Sequence, residues 1–507
     1  MAMNRVHRSI LLSGVERYGS LLFFLVSTAI LSRLLSPHEF GIYAVVNALI
    51  FVLASAFQEF GGANYLVQKH DLSRRNIRTA FTLTFLFSLA TGTVLFMLRD
   101  AIASIFTEDG LRLGVTVSVL NFLVWPFSAT LTALLRRDLD FDTLTVSNLA
   151  GNFVTAVASI VLAVLDYSFM APIWGALAGN MVTAAVLLVS RKDAGLLRPS
   201  LAGYPEVLLF GAYSSGVVII NVFYNFAPQF FLARVLDFAA AGLYSRAVTV
   251  TQTFDKLVVQ VLNPVIMPAI LAQKRSGQSL KRIYLDAVEL LSAVQWPFLL
   301  VFAIMAQPII LIWLGPSWLE IVPLVRILCI AYLALFAACL TYPVLVAVGS
   351  VRDALVSSLI SLPPSLAIMF AASFLGVDAV AAAALLCLPF QAAVAIRFIS
   401  RHLSIRAVEL FAAMRKSFVV TAFSIAGPLA VTAVMHFGLL GPLPALLLSG
   451  AAAAAGWLSA LVVTGHPLLA HVRSLAGSFA AVARRPVMAA SGAGEQSPPA
   501  AAREAVR

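Results

Sequence analysis

LSRLLSPHEFGIYAVVNAL, residues 31–49, is written a second time in this chain: at 232–250 it reads LARVLDFAAAGLYSRAVTV, aligned without a gap. Leu31 and Leu232, Arg33 and Arg234, Leu35 and Leu236, Gly41 and Gly242, and Tyr43 and Tyr244 are identical. In each copy an apolar run ends in L-x-R-x-L, a short hinge follows, and G-x-Y opens the next apolar run. Two hairpin corners of one kind imply two halves of one kind. The alternative is a pair of unrelated corners, and the ungapped register of Arg, Gly and Tyr argues against it.

Outward from that stretch the chain stays apolar. Of its 507 residues 61% are hydrophobic and only 11% charged, whereas a soluble domain carries about 25% charged residues. Most of the chain therefore belongs in lipid. The net charge of +11 sits in short loops between apolar runs, which is an orientation signal and not a surface that tracks nucleic acid. Cys329, Cys339 and Cys387 fall inside apolar segments without pairing or metal spacing, and the histidines form no ligand cluster.

The basic start MAMNRVHRSILL looks like a signal peptide. Glu16 and Arg17 interrupt it, and the apolar stretch then runs on to Leu35, too long for a signal sequence. It reads as an uncleaved first span at 10–33. A helix crosses with about 20 apolar residues. By that rule spans follow at 41–61, 77–98, 113–135, 144–165 and 169–189. The second half gives 206–231, 242–268, 286–313, 319–347, 354–375 and 378–397, with two more at 417–437 and 443–464. The expected fold is an all-α membrane protein of about 14 transmembrane helices. It divides into a six-helix bundle at 1–195, a second at 196–405, two additional helices at 406–470, and an Ala/Gly/Ser/Pro-rich stretch at 471–507 read as a disordered cytoplasmic tail.

Charge sets the orientation. The even-numbered connections carry pairs such as Arg74–Arg75, Arg136–Arg137, Arg191–Lys192 and Lys281–Arg282, while the odd-numbered ones hold only Arg33, Arg99, Arg112 and Arg234. Positive segments stay in the cytoplasm, so both termini are expected inside. Six spans per half make the repeats parallel, related by an axis along the membrane normal with a pathway between them. Pro228, Pro264 and Pro268 in the seventh and eighth spans suggest a bendable pair, and with Gly41 and Gly242 they are the hinge candidates.

Four basic residues lie within spans, Arg17, Arg246, Lys256 and Arg326, with the acids Glu16, Glu59 and Asp255. An ionised group at the bilayer centre costs about 2.5–3.5 kcal/mol on insertion scales, so such groups face a water-filled cavity, pair, or snorkel. Arg17 and Lys256 are placed near mid-membrane in spans that open the two halves. They are expected to face each other across a cleft suited to an anion, phosphate above all. For Arg246 and Arg326, near the outer ends, snorkelling and substrate binding both stay open. Glu16, Glu59 and Asp255 are candidates for ion coupling. The short outer loops offer no paired carboxylates, and no cytoplasmic segment carries a nucleotide loop. Transport without chemistry and without a cofactor is the expectation, driven by a proton or sodium gradient.

The stretch ILSRLLSPHEFGIYAVVNALIFVLASAFQEFGGANYLVQ (30–68) resembles the opening of Wzx-type polysaccharide and oligosaccharide-lipid flippases of the multidrug/oligosaccharidyl-lipid/polysaccharide exporter superfamily. LLRRDLDFDTLTVSNL (134–149), AAAGLYSRAVTVTQ (239–252) and, more weakly, VAVGSVRDALV (346–356) are similar to the same family, in its exopolysaccharide exporter branch. Where the family pattern places an acid after the asparagine of the seventh span, this chain has Asn225, Phe226, Ala227 and Pro228. The resemblance implies two six-helix bundles plus two helices in the bacterial inner membrane. It also implies passage of an undecaprenyl-diphosphate-linked glycan, with a polysaccharide polymerase and export machinery as partners. Competing readings are a peptidoglycan-precursor flippase, a cation-coupled multidrug exporter and, from another class, a membrane glycan polymerase. The last would need a catalytic outer loop that the sequence lacks.

Overall fold

The computed structural model describes residues 2–60, 65–66, 69, 71–191, 198–253, 255–259, 279–336, 340–470 and 472–473; within them every regular element is a helix. The first half comprises α1 (Ala2–Leu34), α2 (Pro37–Phe60), α3 (Arg74–Phe106), α4 (Asp109–Ser118), α5 (Asn121–Arg137), α6 (Phe141–Val164) and α7 (Met170–Ser190). The second opens with α8 (Tyr204–Val235), α9 (Phe238–Thr251) and a π turn at Asp255–Val259. It continues with α10 (Leu280–Ile304), α11 (Ala306–Trp313), α12 (Ile321–Tyr332), α13 (Thr341–Val348), α14 (Val351–Ser373) and α15 (Val377–Leu403). The last pair is α16 (Ala407–His436) and α17 (Pro442–Val463).

Twelve helical stretches among the described residues are long and apolar enough to cross a bilayer, and each falls on an expected span. The other two expected spans are not continuous helices. The eighth starts as α9, loosens into the π turn and then leaves the described residues. The tenth is broken: α12 is followed by a 3-10 turn at Leu333–Phe336, and α13 is a separate short helix. Pro264, Pro268, residues 474–507 and the side chain of Glu59 lie outside what is described.

The repeated corner is a helix start in both copies. Ser36 and Glu39 cap α2 reciprocally, the Ser36 N–H donating to Glu39 Oε2 at 2.8 Å and the Glu39 N–H to Ser36 Oγ at 3.3 Å. At the aligned place in the second copy Asp237 caps α9, accepting from the Ala240 N–H at 2.7 Å. The glycines that follow bring the two starts together. A Cβ on Gly41 would collide with the carbonyl of Phe238, and one on Gly242 with the carbonyl of Pro37. Neither glycine is among those with positive φ, so close approach is what requires them.

Helix α2 is the seam of the molecule, packing against α8 and α9 as well as α3. Ile42, Val45, Val46 and Ile50 join a core shared with Ala240, Ala241 and Tyr244. Phe40 and Ala44 enter the core of the second half beside Trp318 and Ile321. Elsewhere α6 and α7 lie almost in backbone contact, because Gly151, Gly175 and Gly179 leave room for Thr183, Ser159 and Thr155. Helices α16 and α17 dock on α10, where Trp457 Nε1 donates to the Ala293 carbonyl at 2.8 Å and Ser292 meets Ser417 at 2.9 Å.

Candidate functional site

Between the halves lies a cavity of about 1750 Å³, larger than the roughly 300–1,000 Å³ of sites for drug-sized ligands. Its first-half wall comes from α1 (Phe24, Ser27, Leu31), α2 (Tyr43, Asn47, Phe51) and the facing parts of α6 and α7. Among the described residues no charged one lines that wall. The second-half wall carries the charges, Arg246 on α9 with Asp255 and Lys256 in the π turn, and most of the amides and hydroxyls. Asn221, Asn225 and Gln229 project from α8 at i, i+4 and i+8, one face of one helix. Ser357 and Ser361 do the same from α14.

Both cavity cations lean on rings from the opposite half. Lys256 Nζ stands 3.6 Å from the ring centre of Phe24. The Arg246 guanidinium lies 3.7 Å from the ring centre of Phe40 and 5.2 Å from that of Trp318. Such contacts are attractive when desolvated, but a π face does not replace hydrogen bonds. Arg246 is only 3% exposed, and its Nε and Nη2 have no hydrogen-bond partner among the described residues. A buried, unsatisfied guanidinium on a cavity wall is a site for an anion.

The other candidates are distributed differently. Arg17 does not line the cavity, and the group opposite Lys256 is Phe24. Arg17 does lie on the α1 stripe that continues as Phe24, Thr28, Leu31 and Leu35, about two turns nearer the N-terminus of α1 than Phe24. Glu16, one residue round the helix, turns into the first half and accepts from Asn148 Nδ2 at 2.6 Å. Arg326 is exposed outside the cavity, its Nε donating to the Ala303 carbonyl at 3.3 Å. Asp255 lines the cavity beside Lys256. Pro228 sits in α8 without breaking it. The amide row was not singled out from the sequence, although NVFYNFAPQ (221–229) displays it as three amides spaced by four in an apolar span.

At the end formed by the C-terminus of α1 the cavity is closed by hydrogen bonds between α1 and the second half. Arg33 Nη2 donates to the Ile312 carbonyl at 2.8 Å, Trp313 Nε1 to Leu25 at 3.0 Å, and Trp318 Nε1 to Ser32 at 2.6 Å. Phe40 meets Trp318 edge to face at 5.7 Å. From this seal the cavity extends to Ala354 and Ala395, near the N-terminus of α14 and toward the C-terminus of α15. Below them Lys69 bridges to Glu206 at 2.8 Å, linking the α2–α3 connection to the start of α8. That hydrogen bond raises the Lys69 ammonium above its ordinary range.

Residues 30–323 match the family described as polysaccharide biosynthesis protein. The chain belongs to that family. Among relatives of this polysaccharide biosynthesis protein is the lipopolysaccharide biosynthesis protein WzxC of Escherichia coli (strain K12), 24% identical over 312 residues. The match covers 60% of this chain and 62% of WzxC, less than two thirds of that relative. The fold is that of the lipid II flippase MurJ in its inward closed conformation, with a TM-score of 0.70 and 11% identity over 88% of this chain and 98% of MurJ. It is also that of an inward-facing multidrug resistance MATE family transporter of the MOP superfamily, with a TM-score of 0.64 and 13% identity over 76% of this chain and 94% of that one. The protein is accordingly a multi-pass membrane protein.

Proposed function

We propose that the chain moves an undecaprenyl-diphosphate-linked oligosaccharide from the cytoplasmic to the outer leaflet of the bacterial inner membrane, for surface polysaccharide or exopolysaccharide, with no chemistry on the substrate. The observation that carries this reading is the inter-half cavity with Arg246 buried and unsatisfied at its outer end and Lys256 beside it. A diphosphate supplies the acceptors that the guanidinium lacks, and guanidinium holds phosphate oxygens in a bidentate fork. The cavity volume suits a glycan head group, while the lipid tails remain in the bilayer. The two cations, set against Asp255 as the one acid among the described lining residues, fit an anionic substrate better than a cationic drug. Family membership and the flippase-like fold support transport over glycan polymerisation. The driving force in this reading is a proton or sodium gradient acting through Asp255, Glu16 or Glu59, and a polysaccharide polymerase takes the product.

Deletion of the gene tests the proposal. Surface polysaccharide should disappear while the lipid-linked repeat unit accumulates on the cytoplasmic leaflet. Arg246→Ala and Lys256→Ala should each fail to restore export at normal protein level. Lysis with arrested wall synthesis and intact surface polysaccharide would turn the reading to a peptidoglycan precursor.

A further inference from the structure

A side pocket of about 160 Å³ opens off the main cavity into the second half. Asn221, Asn225, Gln252, Tyr332 and Gln391 line both spaces and form the threshold between them. Among the described residues no charged side chain lines the side pocket. Its amides are fixed before any ligand arrives. Gln252 Nε2 donates to Tyr332 Oη at 3.0 Å. Gln391 Nε2 donates to Tyr224 Oη at 2.6 Å and to Ser365 Oγ at 3.1 Å. Both amide hydrogens of Gln391 are thereby used, and its carbonyl oxygen remains as an acceptor. Pro228, also in the lining, has no N–H to give to the carbonyl of Tyr224 one turn earlier.

The chemistry of this wall selects a ligand class. Among the described residues an anion would find no cation in the side pocket and a metal ion no carboxylate. A lipid tail would match Leu328, Met369, Ala384 and Leu388 at the inner end but would strip water from the amides of the threshold without replacing it. A neutral ring that carries hydroxyl groups satisfies them all. The size agrees with partial entry: a cavity of about 150 Å³ accepts benzene, so the side pocket of about 160 Å³ admits one face of a bulkier sugar ring and the open threshold leaves the remainder in the main cavity. The geometry points to a sugar subsite: the side pocket takes one neutral sugar ring of the transported glycan, read by Asn221, Asn225, Gln252 and Gln391. Tyr332 and Tyr224 act as positioning residues for the two glutamines. The inference rests on the lipid-linked glycan reading above and divides the labour within it, with the diphosphate at Arg246 and Lys256 and the sugar identity read in α8 and its neighbours.

The test is leaflet translocation in proteoliposomes. Two probes are compared, the lipid-linked oligosaccharide extracted from cells that carry this gene and bare polyprenyl diphosphate of the same chain length. The wild-type protein should move the glycan-bearing lipid about tenfold faster or more, because a site built to hydrogen-bond hydroxyls discriminates against a ligand without them. Gln252→Leu and Gln391→Leu should bring that ratio close to one by slowing the glycan-bearing lipid more than the bare lipid. Tyr332→Phe and Tyr224→Phe, which delete only the orienting hydroxyls, should give intermediate ratios. A wild-type ratio of one, or an undiminished ratio in the Tyr→Phe variants and in every glutamine variant that folds, overturns the sugar subsite alone. Failure of the wild-type protein to move either lipid overturns the flippase reading and the subsite with it.

Discussion

Gly41 and Gly242 stand in each other's place. The carbonyl of Phe238 fills the position where Gly41 would carry a Cβ, and the carbonyl of Pro37 fills the corresponding position at Gly242. In the repeat Phe238 aligns with Pro37 as Gly242 aligns with Gly41. The contact is therefore its own image, the mark of an internal two-fold relation. The stretch that the chain writes twice is where its two copies touch.

That contact makes a strong demand on both glycines. The colliding atoms are backbone carbonyls, which no side-chain rotation can move. Gly41→Ala and Gly242→Ala should each lower the yield of folded protein and the thermal midpoint in detergent, and Gly41→Val and Gly242→Val should abolish folding or export. Gly450 is the control: nothing lies within 4 Å of a Cβ there, and alanine in a helix interior should stabilise by about 0.5–1 kcal/mol. Equal behaviour of all three alanine variants in size-exclusion profiles would remove the close approach as the reason for the repeated G-x-Y.

The outer seal rests on hydrogen bonds that one substitution can subtract. Trp318→Phe keeps the ring against Phe40 but removes the donor to the Ser32 carbonyl, leaving a buried acceptor unpaired at about 1–3 kcal/mol. The seal should open more often. In a background with the native cysteines changed to alanine, Asn47→Cys on the cavity wall should react faster from outside whole cells with a membrane-impermeant thiol reagent when Trp318→Phe is present. An unchanged rate would show that the indole does not hold the closure.

The membrane class and the places of twelve apolar helices were legible because they depend on composition and period, which survive without neighbours. The charges were less so. Periodicity placed Lys256 at mid-membrane, but its partner across the cavity is Phe24, an apolar residue that carries no electrostatic signal in sequence. Arg246 was left between snorkelling and binding; its burial depends on Phe40 and Trp318 arriving from distant parts of the chain. The broken tenth span was invisible, since the residues of α12 and α13 are as apolar as any continuous helix. The N-caps at Ser36 and Asp237 could have been read. S-P-H-E is a capping box, and it was taken for a hinge.

Orientation follows from the basic connections. Reporter fusions after residues 70, 195 and 278 should read cytoplasmic, and those after 108 and 316 external. An external signal at 195 would make the halves antiparallel and contradict a membrane-normal axis.

His466 gives the docking of the last helix pair a pH signature. The imidazole is 2% exposed at the end of α17, its Nε2 3.9 Å from Glu289 Oε1, with Lys416 Nζ 3.7 Å from the same oxygen. Burial, and secondarily Lys416, push its pKa down to about 4 from an ordinary 6.5. Between those values the unfolded chain binds a proton that the folded one refuses, so stability falls as pH drops from about 6.5 to 4. His466→Gln should flatten the thermal midpoint of the purified protein over that interval relative to wild type. Parallel curves would mean that His466 is protonated in the folded state.

Of the described cations within spans, Arg17 stands on α1 outside the cavity, and its position predicts a role in capture. It shares the α1 stripe with Phe24 but lies about two turns nearer the N-terminus, the end expected on the cytoplasmic side. A head group entering from inside passes it before reaching Lys256. No hydrogen bond or ion pair ties Arg17 to another described residue, whereas its neighbour Glu16 is held by Asn148. A charge at an open entrance concentrates an anion without gripping it, and such steering is screened by salt. Arg17→Ala should therefore raise the substrate concentration needed for half-maximal transport several-fold and leave the maximal rate in place. Arg17→Lys should recover most of the loss, since charge persists without the fork. The difference between wild type and Arg17→Ala should shrink as ionic strength rises. Lys256→Ala, at the cavity wall, should instead lower the maximal rate at every salt concentration. A fall in maximal rate on Arg17→Ala, insensitive to salt, would place Arg17 in the transport step itself and return it to the role of a partner for Lys256.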